Sequence, residues 1–132
     1  MNESAAPQVS LRIAKDERLL AGLTAAIGKL AEIAGLAQAA AEDLASAACE
    51  TCENAFPLMA EGEDLHASIK THVDRVEITV EYAGEAQPAA GLETFLGAGG
   101  GQGISLLNRV DGVNYSTKGG RSQTTIFKKR PR

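Results

Sequence analysis

The sequence has no tryptophan, and aromatic residues make up only 4% of it. A core with so few large rings must be built from Leu, Ile, Val and Ala, small side chains that each bury little area. No apolar run reaches the roughly 18 residues needed to span a bilayer. The opening Met1-Asn2-Glu3-Ser4 has no basic stretch leading into an apolar one, the mark of a secretory signal. The expectation is a cytoplasmic chain without membrane contact. Cysteine is equally scarce. Cys49 and Cys52 stand in CxxC spacing, but there is no second CxxC to complete a zinc site. The pair also lies deep inside an Ala-rich helical stretch, whereas a redox pair usually opens a helix. Both are read as small, half-buried helix residues.

What is present fits one globular domain. The 132 residues are 44% hydrophobic and 23% charged, close to globular averages. The net charge is −4, yet Lys128, Lys129, Arg130 and Arg132 crowd the end of the chain, so the rest is more acidic still. Such a body does not suit a phosphate backbone, and the basic residues read as a solvated tail. The domain reading is a polar lead-in over 1–7, a folded body over 8–128 and a tail over 129–132.

Val9, Leu11 and Ile13 alternate with polar neighbours, which predicts a strand. Asp16 can cap a following helix, in which Leu19, Leu20, Leu23, Ile27, Leu30, Ala31 and Ala34 recur at helical spacing, and Gly35 suits its end. A second helix is predicted over about 37–56. Leu44, Ala47, Ala48, Thr51, Cys52 and Ala55 form its inner stripe, and Pro57 stops or kinks it. Two alternating stretches, 65–72 and 75–82, predict strands joined near Val73-Asp74, with His66 and His72 on the polar, exposed phase. Residues 83–103 form a long loop ending in a Gly-rich run, with a short helix at about 102–110. Val113 and Tyr115 open a strand, Lys118 to Arg121 turn, and a last strand covers 124–128. The order β-α-α-β-β-loop-α-β-β predicts an α+β, two-layer sandwich: a mixed, mostly antiparallel sheet with helices on one face.

Four places could carry chemistry. Glu50 and Asn54 lie four apart, one turn along the same helix face. A carboxylate there can take a proton from a hydroxyl, and an amide oxygen can bind Mg²⁺; a wet helix face has the same pattern. Gly97 to Gly103, opening a helix, can hold phosphate on bare backbone N–H groups; a flexible linker reads the same way. No Lys-Ser/Thr follows the glycines, so this is no P-loop. Glu81-Tyr82-Ala83-Gly84 ends the clean strand at that loop, and Ser122-Gln123-Thr124-Thr125 lies in the last strand.

In this order the four resemble the Bergerat-fold (GHKL) ATPases, most closely their compact branch of anti-sigma-factor serine kinases, a histidine-kinase-like ATPase domain in bacteria. The resemblance runs from about Val9 to Lys128. Glu50 to Ala55 resembles the family's Glu-x-x-x-Asn-Ala. Tyr82-Ala-Gly84-Glu-Ala86 stands where the family has Asp-x-Gly-x-Gly. Gly101-Gln-Gly103-Ile104 is similar to Gly-x-Gly-Leu, and Gln123-Thr124-Thr125 to Gly-Thr-Thr. The resemblance implies the Bergerat ATP-binding fold, with ATP and Mg²⁺ as cofactors. Glu50 would be the general base and Asn54 the metal ligand, with Tyr82, Gly84, Gly101, Gly103 and Thr124 around the nucleotide. It implies a cytoplasmic serine/threonine-protein kinase in transcription regulation, acting on a sigma factor and an anti-anti-sigma factor. It implies no direct contact with nucleic acid, and it allows a homodimer. Three positions depart from the pattern. Tyr82 replaces the Asp that reads the adenine amino group, Ala86 replaces a Gly, and Gln123 replaces another. A second reading therefore stands open: an inactive binding module on the same fold that titrates a protein partner without nucleotide.

Overall fold

The computed structural model describes residues 8–84 and 109–130. Its elements run β1 (Gln8–Ile13), a 3₁₀ turn (Glu17–Leu19), α1 (Leu20–Ile33), α2 (Gln38–Ala55), a second 3₁₀ turn (Phe56–Leu58), β2 (Leu65–Thr71), β3 (Arg75–Ala83), β4 (Gly112–Lys118) and β5 (Arg121–Lys129). The predicted short helix at 102–110 and the Gly-rich run fall almost wholly outside the described residues. The strands form one sheet in the order β1-β2-β3-β5-β4. Every pairing among the described residues is antiparallel, so no parallel pair of a mixed sheet is found there.

Local signals in the sequence account for the element boundaries. The Asp16 carboxylate accepts from the Arg18 backbone N–H at 3.0 Å, capping the 3₁₀ turn that precedes α1 rather than α1 itself. Gly35 sits at φ +110, a conformation open to residues without a Cβ. There Gly35 N–H bonds the Glu32 carbonyl at 3.0 Å and Leu36 N–H bonds that of Ala31 at 3.1 Å. That pair of bonds is a Schellman ending, and Leu36 and Ala31 are both buried beside it. Pro57 ends α2 by converting its last turn to 3₁₀.

The helices cover one face of the sheet. α1 presents Leu20, Leu23, Ile27 and Ala31 to the core, and α2 presents the whole predicted stripe from Leu44 to Ala55. Thr51 is buried in that stripe, and its hydroxyl is satisfied by the Ala47 carbonyl at 2.8 Å. β3 alternates without a break: Val76, Ile78, Val80 and Tyr82 are buried, and their neighbours are half-buried. Fully burying such aliphatic side chains contributes about 1.5–3 kcal/mol each, which fixes the register. The other sheet face is mostly polar, with the Phe127 ring under the Arg75 guanidinium. The two-layer α+β sandwich predicted from the sequence is thus observed.

Two further details differ from the sequence expectation. β5 starts earlier and runs through Lys129, and the Arg130 guanidinium donates to the carbonyls of His72 and Val73. The first residues of the supposed tail are therefore part of the body. His72 is on the polar phase as predicted, but its ring lies 3.0 Å from the Glu77 carboxylate and is only partly exposed.

Candidate functional site

α2 positions Glu50 and Asn54. With Thr51, Cys52 and Ala55 buried against β3 and β5, helical spacing leaves Glu50 and Asn54 half-buried at the flank of the core. The side-chain amide of Asn54 makes no hydrogen bond to the described residues. Glu50 is differently placed. Its Oε1 accepts from the Arg109 guanidinium, whose other terminal nitrogen donates to Ser46 Oγ at 2.6 Å. Arg109 thereby spans one turn of α2. Its own carbonyl accepts from Lys128 Nζ at 2.9 Å, and Lys128 faces Asp43 at 3.7 Å. Asp43, Ser46 and Glu50, three and four residues apart, are held along one helix flank by two cations from the far end of the chain. No hydrogen bond to Glu50 Oε2 is found among the described residues.

Below α2 lies the inner face of the strands. Tyr82 points inward, 2% exposed, opposite Ser122 on β5. Burial, above all, raises the pKa of its hydroxyl, with Ser122 and Tyr115 as smaller, opposing influences. It is a neutral phenol. Ser122 Oγ in turn lies 3.5 Å from both the Tyr115 hydroxyl and the Gly84 carbonyl. Thr124 is buried next to this cluster, between Val80 and Tyr115 in the register. Gln123 and Thr125 point to the opposite face, where Thr125 bonds Thr79 at 3.1 Å.

Gly84 closes the strand end. Its N–H bonds the Gly120 carbonyl at 3.0 Å, and the preceding Ala83 carbonyl accepts from Ala60 N–H at 2.8 Å. The 3₁₀ turn after α2 is thereby tied across the end of β3. A Cβ at Gly84 would run into the backbone carbonyl of Leu58, so close chain packing by itself requires glycine here.

α2, which carries Glu50 and Asn54, packs on β3 and β5, which carry Tyr82 and Thr124, and Gly84 directly follows β3. Gly101 and Gly103 lie outside the described residues. Sequence reasoning missed Arg109 as the partner of Glu50, since nothing local pairs residues 59 apart. It also missed Lys128, for which a signal existed: Lys128 shares the inward phase of Thr124 and Ile126 on β5.

No metal-holding group of three or more His, Cys, Asp or Glu occurs among the described residues. Mg²⁺ needs no such group, because it keeps waters and phosphate oxygens around one or two protein ligands. No family model matches the chain, and no curated protein matches it.

Proposed function

We propose that this chain is a Bergerat-type regulatory domain, an anti-sigma-factor-like serine/threonine kinase that binds ATP and Mg²⁺ in the cytoplasm and controls a sigma factor by protein contacts. The observation that carries the reading is the placement of Asn54. Its amide has no hydrogen-bond partner among the described residues and lies one turn from Glu50, on the helix that packs on β3 and β5, the strands to which the resemblance assigns a nucleotide. The amide oxygen fits Mg²⁺. Bound ATP would supply a phosphoryl group, and phosphoryl transfer asks a protein mainly for positioning and charge neutralisation. Glu50 would take the proton of the accepting serine on an anti-anti-sigma factor, through the carboxylate oxygen that does not accept from Arg109.

The adenine half fits less well. A carboxylate accepts from an exocyclic amine; Tyr82 offers instead a buried, neutral phenol. Loss of such a contact costs about 1–3 kcal/mol, or roughly tenfold to a hundredfold in affinity. This favours a second reading, an inactive module that binds its protein partner without nucleotide.

Calorimetric titration with ATP and Mg²⁺ separates the two. The kinase reading expects weak, Mg²⁺-dependent binding that Asn54→Ala removes and Tyr82→Asp strengthens. Binding by neither the native chain nor the Tyr82→Asp variant would leave the inactive module. Metal dependence unchanged in Asn54→Ala would remove the metal role.

A further inference from the structure

The two helices lie on one face of the sheet, and among the described residues nothing covers the other. Along β5, Ser122, Thr124 and Ile126 are buried inward, so Arg121, Gln123, Thr125, Phe127 and Lys129 take the outer face. Carried through the strand registers, that face holds the cations Arg12, Lys70, Arg75, Lys118, Arg121 and Lys129 against only two carboxylates, Glu77 and Glu81. The other described residues carry twice as many carboxylates as cations. The molecule is thus polarised, an acidic body with a basic sheet face.

The charge is not spread evenly over that face. Both carboxylates stand on β3, where Glu77 meets Arg75 and His72, and Glu81 meets Arg121. The strip made by β4 and β5 has no outward carboxylate. Its cations stand at its two ends, Lys118 and Arg121 at one and Lys129 at the other, about 27 Å apart. Between them lie Asn114 opposite Thr125, Ser116 opposite Gln123, and the Phe127 ring. A Cβ at Gly112 would run into that ring, so glycine there lets the ring lie across β4. Two cross-strand pairs moreover set like charges directly opposite, Lys118 against Arg121 and Arg75 against Lys129. Such pairs destabilise a sheet. Gly119 and Gly120, both at positive φ, form the kind of two-residue turn that locks Lys118 opposite Arg121. Lys118 and Lys129 make no ion pair among the described residues. The fold gains nothing from these cations, whereas an anionic partner would neutralise them.

We propose that the β4–β5 strip docks an extended, acidic segment of a partner protein. Carboxylates near one end of the segment meet Lys118 and Arg121, those near the other end meet Lys129, and its polar middle lies on Gln123, Thr125 and Asn114. A nucleic-acid strand fits less well. It carries a charge on every nucleotide, so its middle phosphates would lie on neutral groups, and the Phe127 ring already has the Arg75 guanidinium 5.8 Å from its centroid. A second copy of this chain would bring its acidic body to the strip head to tail, which builds open chains of subunits. The strip is narrow beside the roughly 800 Å² per partner of a standard interface, so the contact is weak and sensitive to salt. The inference holds whether or not the chain binds nucleotide.

Two synthetic peptides of about ten residues, about 30 Å long when extended, test it by amide magnetic resonance of the full chain. Both have the same composition, glutamates with Ser, Gly and Thr. One carries its glutamates in pairs at the two ends, and the other carries them all in the middle. At low salt the first should shift the amides of Asn114, Ser116, Gln123 and Thr125 and bind at least about threefold more tightly than the second. Lys118→Glu combined with Lys129→Glu, both at exposed positions, should weaken that binding at least about tenfold. Lys15→Glu combined with Lys29→Glu, an equal change of net charge away from the strip, should not. No shift with either peptide overturns the proposal, as do equal affinities for the two, shifts that fall on α1 or α2, and binding indifferent to the strip variant. So does an oligothymidylate or a phosphatidylserine vesicle that moves the same amides at a lower concentration than the peptide. Shifts of the strip amides on concentrating the chain alone would assign the strip to a second copy and overturn it as well.

Discussion

Arg109 donates its guanidinium to the carboxylate of Glu50 across 59 positions of the chain. Both side chains are about one-fifth exposed, so solvent screens the pair only in part. Replacing Arg109 by Met should leave the Glu50 carboxylate half-buried without its cation. A double-mutant cycle with Glu50→Gln, read by urea unfolding, should return a coupling of about 0.5–3 kcal/mol. A coupling indistinguishable from zero would make the contact incidental.

Gly84→Ala tests the crossing of the Leu58 backbone over the end of β3. The added methyl must displace a carbonyl held by its neighbours, and overpacking of this kind costs typically about 1–3 kcal/mol. The urea midpoint should fall with an unchanged slope. A neutral outcome would mean that the turn at Phe56–Leu58 yields freely.

The two cysteines should differ in reactivity. Burial, above all, pushes the Cys52 thiol up to about 12, so at neutral pH it has almost no thiolate, the reactive form. Cys49 is half-buried. A thiol reagent should modify Cys49 in the folded protein and reach Cys52 only on unfolding. Rapid modification of both in native buffer would contradict the packing of α2.

Asp16 gives a pH dependence of defined sign. Hydrogen bonds from the Arg18 side chain, and then from its backbone N–H, lower its carboxyl from 3.8 to about 2. A carboxyl depressed in the folded state adds stability that is present above its unfolded pKa and lost as the pH falls from about 4 towards 2. Carbon-detected magnetic resonance should find the Asp16 midpoint near 2, and Asp16→Asn should remove that part of the acid dependence. An ordinary midpoint would mean that the exposed pair does not persist in solution.

The elements were legible in the sequence wherever one short-range pattern decided them. The alternation from Val76 to Tyr82, the stripe from Leu44 to Ala55, Gly35 after α1 and Pro57 after α2 all report local geometry, and each stands where the pattern puts it. The candidate site was legible only as far as α2 fixes it: Glu50 and Asn54 had to share a flank once Thr51, Cys52 and Ala55 were inside. What Glu50 touches was not legible, because Arg109 arrives from the other end of the chain. Nor was the reason for glycine at position 84. The resemblance assigns that glycine to a nucleotide, whereas the structure sets the Leu58 carbonyl against it. Lys128 shows a third kind of miss, in which clustered basic residues outweighed the strand phase that carries it inward.

The position of β5 bears on how the protein is made. β5 follows β4 in the chain but lies between β4 and β3 in the sheet. As the chain emerges from a ribosome, β4 has no strand of the sheet to pair with until β5 has been synthesised. Over the same interval β3 carries Val76, Ile78 and Val80 beside an open row of N–H and carbonyl groups, the kind of edge that recruits other nascent chains. Synthesis that stalls between β3 and β5 should therefore yield aggregates rather than a smaller folded domain.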